Sequence, residues 1–87
     1  MDQQLRSLLQ EHAKLSVDVA SLNDDTDLFS VGLSSFSTVR LMLSIENAFD
    51  IEFPDHLLTR QTFESIASIR NVVTELLSMK VADGIGV

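Results

Sequence analysis

The chain has 87 residues, 45% of them hydrophobic. That is enough for one small domain, although a chain this short buries only about 60–65% of its unfolded surface. Thirteen acidic against six basic residues give a net charge of -7, which argues against nucleic acid or an anionic membrane as partner, since both reward clustered Lys and Arg. No cysteine is present, so disulfides and thiolate metal cages are excluded and apolar packing must hold the fold.

A first helix is predicted over Asp2 to Leu15, where Leu5, Leu8, Leu9 and His12 recur at helical spacing and Ala13 and Leu15 extend the pattern. His12 falls on the apolar side and reads as a buried-edge histidine rather than a ligand. A long connection follows, Ser16 to Ser34. It exceeds an ordinary helix–helix loop and should pack residues of its own; Val17, Val19, Leu22, Leu28, Phe29, Val31 and Leu33 are the candidates.

A second helix is predicted over Ser35 to Phe49. Its polar residues Ser37, Arg40, Ser44 and Asn47 form one narrow stripe, and nearly everything else is apolar, which predicts a mostly buried helix. Glu46 lies opposite the stripe without an evident purpose. With Asp50 it forms an i, i+4 carboxylate pair, read as exposed charge at a helix end.

Asp50 to Asp55 reads as a turn around the single proline, Pro54, with a short helical turn over His56 to Arg60. Thr62 is the expected N-cap of a last helix, with Glu64 in its first turn. Ile66, Ile69, Val73, Leu76 and Leu77 give that helix an apolar face as far as Met79. Residues 81–87 read as a flexible tail, leaving 1–80 as the domain. No strand-like alternation is found. The expected fold is all-α: a small four-helix bundle of three long helices and one short third helix, with a long first loop.

Several motifs fail. Asp24, Asp25 and Asp27 suggest a calcium loop, but counted from Asp24 the required glycine and glutamate positions hold Phe29 and Ser35. His12 and His56 are isolated from any nucleophile or metal-ligand pattern. No glycine-rich phosphate loop exists. Nothing reads as an enzyme's catalytic site. No run of about 18 apolar residues offers a membrane span, and Met1-Asp2-Gln3-Gln4 does not read as a signal peptide. The cytoplasm is the expected location.

By residues alone, Ser34 or Ser35 is most simply a helix N-cap. However, Asp27-Leu-Phe-Ser-Val-Gly-Leu-Ser-Ser35-Phe-Ser-Thr-Val39, running on through Ile45-Glu-Asn-Ala-Phe-Asp-Ile-Glu-Phe-Pro54-Asp55, resembles the acyl and peptidyl carrier proteins. The resemblance implies a four-helix bundle that carries 4'-phosphopantetheine on a serine at the start of its second helix. It places the attachment at Ser35, leaves Ser34 as the cap, and implies that Phe36 anchors the helix start in the core while Gly32 eases the turn before it. The arm would supply the thiol that the chain lacks.

Two departures from the family pattern matter. The common Asp-Ser-Leu is Ser34-Ser35-Phe36 here, and the stripe Ser34, Ser37, Arg40, Ser44, Asn47 carries no carboxylate where fatty-acid carriers are acidic. The resemblance therefore implies a dedicated set of partners: a phosphopantetheinyl transferase, an acyl- or aminoacyl-loading ligase, and downstream acyl-transfer enzymes. The partner-binding candidates are Ser34, Phe36, Ser37, Arg40, Leu41, Ser44 and Asn47, on a monomer. The approach Asp27 to Leu33 is closer to carriers of amino acids or peptides. The expected role is to hold an acyl or aminoacyl group as a thioester on the arm; the alternatives are an aminoacyl carrier loaded by a stand-alone amino-acid ligase, and an unmodified helical adaptor that binds a partner through the second helix.

Overall fold

A computed structural model describes residues 1–85, with side chains through Lys80. The expected tail, 81–87, lies outside the described side chains. The described residues form three α-helices: α1 (Asp2–His12), α2 (Ser35–Phe49) and α3 (Ile66–Ile85). Single 3-10 turns stand at Val19–Ser21 and Asp55–Leu57. The all-α class is as expected, but the short third helix of the expected bundle is one 3-10 turn. Its amides donate from Leu57 to Pro54 O (2.9 Å) and from Leu58 to Asp55 O (3.1 Å), and Leu58 then leaves helical geometry at ψ 65.

Helix α1 packs against both α2 and α3. Leu5 and Leu9 from α1, Leu28 from the long loop, Leu41 and Ile45 from α2, and Ile66, Ile69 and Val73 from α3 are almost fully buried and form the centre of the core. The spacings are i, i+4 on the first two helices and i, i+3, i+7 on the third, so each helix contributes one stripe. Phe53 and Phe63 close one side, their ring centroids 5.5 Å apart.

Helix α1 ends earlier than Leu15. Ala13 turns extended (φ -109, ψ 127) while its amide still donates to Leu9 O. Beyond it, the Ser16 amide (2.8 Å) and hydroxyl (3.0 Å) both donate to Val31 O, drawing the chain away from the helix axis. Val17 is 40% exposed, so it is not part of the loop's packing; Val19, Leu22, Leu28 and Leu33 are. Asp24 binds Arg6 of α1 and Arg70 of α3, each at 3.2 Å, and its carbonyl accepts from the Ala67 amide. Arg70 also holds Asp2 at 2.9 Å. The first aspartate of the apparent calcium motif is thus the knot joining the loop to two helices.

The end of α2 explains Glu46. Its Oε2 accepts the Phe53 amide at 2.9 Å, tying the helix to the segment that re-enters the core. Asp50 closes α2 in the left-handed region (φ 54, ψ 53), a position more often held by glycine. Lys80 donates to its carbonyl (2.8 Å) and its carboxylate (2.6 Å). That ammonium holds the Asp50 carboxyl below the usual carboxylate range.

Helix α3 starts at Ile66, later than Thr62 would place it. Thr62 is buried, with its amide donating to Thr59 Oγ1, whereas Ser65 Oγ accepts the Ser68 amide (3.1 Å) and performs the capping. The helical backbone runs to Ile85, past the expected end at Met79.

Candidate functional site

The start of α2 is built by the eight residues before it, Asp27 to Ser34. Asp27 accepts the Phe29 amide (3.1 Å) and the Ser30 hydroxyl (2.9 Å), and the Val31 and Leu33 amides both return to Leu28 O. The Ser30 hydroxyl is the main cause of an Asp27 carboxyl held below its ordinary range, with the Phe29 and Ser30 amides and the charge of Arg60 adding to it. Gly32 sits at φ 113, where a side chain is strained, and a Cβ there would lie 3.3 Å from Ser16 N. Leu33 then drops into the core, 4% exposed.

The two serines that follow divide the work. Ser34 is the N-cap: its Oγ accepts the Ser37 amide (3.1 Å) and donates to Ser37 Oγ (3.1 Å), while its carbonyl takes the Thr38 amide and hydroxyl. The Ser35 side chain is exposed and its hydroxyl has no partner among the described residues. The Ser35 and Phe36 amides are first-turn donors with no intrahelical acceptor. A phosphate ester on Ser35 would therefore sit at the positive end of a fifteen-residue helix. The site fits a phosphopantetheine: a free hydroxyl, open to a large modifying protein, beside unsatisfied N–H groups.

The face beside Ser35 differs from the expected one. Phe36 is 73% exposed, so it does not anchor the helix in the core; Val39 (53%) and Leu43 (55%) are exposed with it. Arg40 lies among them, its guanidinium 6.0 Å from the Phe36 ring centroid. Asn47 is exposed, while Ser37 and Ser44 are half-buried, the latter donating to Leu41 O at 2.7 Å. Leu41 is fully buried and is not available to a partner. The outward face is Phe36, Arg40, Leu43 and Asn47, rotated from the polar stripe toward the apolar residues. The polar count misled because Leu41 and Ile45 alone supply the fully buried face. The i, i+4, i+7, i+11 spacing of the outward four was a signal that could have found it.

Between α2 and the segment after the second 3-10 turn lies a groove of about 350 Å³. Ser35, Val39 and Met42 line it from α2, Leu58 and Arg60 from the later segment, and Phe29 from the long loop. Arg60 was not among the expected site residues. Its guanidinium stacks 4.1 Å above the centroid of Phe29. Neither the groove nor its cation is visible in the sequence, because the residues come from three separated segments.

The family model for the phosphopantetheine attachment site matches residues 3–76. An aminoacyl carrier protein of Agrobacterium fabrum is 46% identical over 82 residues, covering 94% of this chain and 99% of that protein. The D-alanyl carrier protein of Bacillus subtilis is 40% identical over 60 residues, 68% of this chain and 77% of the relative. Among solved structures, a carrier protein from Agrobacterium tumefaciens, in complex with an engineered Bradyrhizobium japonicum glycine:carrier protein ligase and AMP, superposes with a TM-score of 0.83. It is 47% identical, and the match covers 85% of this chain and 99% of that one. The chain belongs to the acyl and peptidyl carrier proteins, the family that bears a covalent phosphopantetheine.

Proposed function

We propose that this protein is an aminoacyl carrier whose phosphopantetheine arm is attached to Ser35 and charged by a separate amino-acid ligase. The observation that carries the reading is the split between the two serines: Ser34 is consumed in capping, while Ser35 is free at the helix's positive end. The likeness to a carrier solved with a glycine:carrier protein ligase supports an amino acid as cargo.

In the attachment step, Ser35 Oγ attacks the phosphorus of coenzyme A that bears pantetheine. A new P–O bond forms, the pyrophosphate bond breaks, adenosine 3',5'-bisphosphate leaves, and the serine proton passes to a base of the transferase. When bound, the arm supplies a thiol that holds the amino acid as a thioester. This chain's own residues present the site: Gly32 and Leu33 set the turn, Ser34 fixes the first helical turn, and the open amides face the phosphodiester. The partners perform the catalysis.

The partner face in this reading is Ser34, Phe36, Ser37, Arg40, Ser44 and Asn47, with Val39 and Leu43 added and Leu41 removed. None of its exposed positions on α2 is a carboxylate, which supports dedicated partners over the fatty-acid machinery. The same reading takes the chain as a cytoplasmic monomer in a bundle of the family's four-helix type, with the Asp55–Leu57 turn standing for the short helix.

Incubation with coenzyme A, magnesium and a phosphopantetheinyl transferase is expected to add one arm by intact mass, and a glycine ligase with ATP is expected to add one amino acid to the arm-bearing form. Ser34→Ala should still accept the arm, although loss of the cap costs about 1 kcal/mol. Ser35→Ala should accept none. Modification of Ser35→Ala would overturn the site; absence of any arm on the wild type would favour the unmodified adaptor.

A further inference from the structure

Arg60 is the one charged side chain lining the groove that also contains Ser35. It makes no ion pair among the described residues. Asp27, the nearby carboxylate, is occupied by the Phe29 amide and the Ser30 hydroxyl. The guanidinium rests on Phe29, a contact through its face that leaves its N–H groups free to donate in the guanidinium's own plane. A guanidinium is also the side chain best matched to two phosphate oxygens at once. Arg40, the other arginine near the site, lies over Phe36 and lines the separate cleft toward α1, with Leu8 and His12. The remainder of the Ser35 groove is apolar or hydroxylic: Val39, Met42, Leu58 and Phe63, with Thr38 and Thr59.

We propose that Arg60 is the positioning residue for the arm: it pairs with the phosphodiester on Ser35 and draws the pantetheine over the groove formed by Val39, Met42, Leu58 and Phe63. This rests on Ser35 as the attachment point. The helix N-terminus stabilises the anion but sets no direction for the chain beyond it. A guanidinium on one side does set a direction, and the apolar groove meets the arm's methyl groups. Between encounters the arm lies along the groove; a partner that competes for the phosphate or for Arg60 releases it.

The test compares amide ¹H–¹⁵N spectra of the apo and arm-bearing forms of wild type, Arg60→Gln, Arg60→Lys and Arg40→Gln, with intact mass confirming one arm on each. Referencing every variant to its own apo form cancels the loss of the Phe29 stacking. In wild type, attachment should shift Val39, Met42, Leu58 and Phe63 as well as Ser34 to Ser37. Arg60→Gln should lose the groove shifts and keep those at Ser34 to Ser37. Arg60→Lys should keep part of them, Arg40→Gln all of them, and added salt should shrink them by screening an exposed pair. An arm-bearing wild type with shifts confined to Ser34–Ser37, or an Arg60→Gln with an unchanged groove pattern, overturns this inference alone. A wild type that takes no arm overturns the Ser35 assignment and this inference with it.

Discussion

The long loop and the helix it leads into use the same kinds of side chain in opposite ways. In the loop, Leu28 and Leu33 are buried and the carboxylate of Asp24 holds two guanidiniums, Arg6 and Arg70, from two different helices. On α2, Phe36, Val39 and Leu43 stand in solvent, and Arg40 on the helix and Arg60 across the groove face aromatic rings instead of carboxylates. The ion pairs at Asp24 are satisfied internally and serve the fold. The helix leaves apolar surface and positive charge unsatisfied on a chain of net charge -7, and that is the surface a partner can use. The contrast teaches that the acidity of this protein lies away from its outward α2 face.

The largest expected effect separates two leucines of the same helix. Leu41 is fully buried and Leu43 is 55% exposed. Leu41→Ala should cost about 2–5 kcal/mol, a large part of the roughly 5–15 kcal/mol that holds a domain. Leu43→Ala should stay within about 0.5 kcal/mol. Urea unfolding of the two variants measures the difference, and equal losses would break the division between core and presented face.

A smaller effect concerns the loop knot. Hydrogen bonding from Arg70, joined by Arg6, lowers the Asp24 carboxyl below its ordinary value of 3.8. A carboxyl lowered in the folded state binds its proton more weakly there than in the unfolded chain. Its stabilisation is therefore present in full above pH 3.8 and fades as pH falls through the folded value. Thermal melts of wild type and Asp24→Asn should differ at neutral pH and converge in strong acid. A gap independent of pH would mean that Asp24 acts by shape alone.

How much of this was legible depended on how local the cause was. The limits of α2 were readable because Ser34, Ser35 and the Gly32 turn are contiguous and Asp50 follows the last apolar residue. The outward turn of Phe36 was not, since apolar content does not say which side of a helix meets its neighbours. The cap of α3 was misplaced for a different reason. Thr62 and Ser65 both offer a hydroxyl ahead of the apolar run, but Thr62 is buried and turned back to Thr59, which leaves the capping to Ser65. The purpose of Glu46 and the groove at Arg60 depend on segments brought together only by folding. The proposal of Ser35 as the attachment serine rests on family likeness, and the capping geometry of Ser34 adds a physical reason to it.

The smallest expected change in stability is also the sharpest test of the presented face. Phe36→Ala removes a ring that is 73% exposed, so folding should shift by no more than about 0.5 kcal/mol. If the ring is a partner's anchor, truncation should instead lower kcat/KM for loading by the amino-acid ligase about tenfold, or about 1.4 kcal/mol. Arg40→Glu makes the complementary test, because it reverses the charge beside Phe36 without touching the core. Loading by a ligase that reads this face should fall, and arm attachment should be measured separately so that the two steps are not confused. Unchanged loading in both variants would mean that the ligase grips the arm and the Ser35 turn, and that the exposed stripe of α2 serves some later partner. A loss confined to Phe36→Ala would make the contact apolar. A loss in both would place acidic groups on the ligase, the reverse of the arrangement in which an acidic carrier helix meets a basic enzyme.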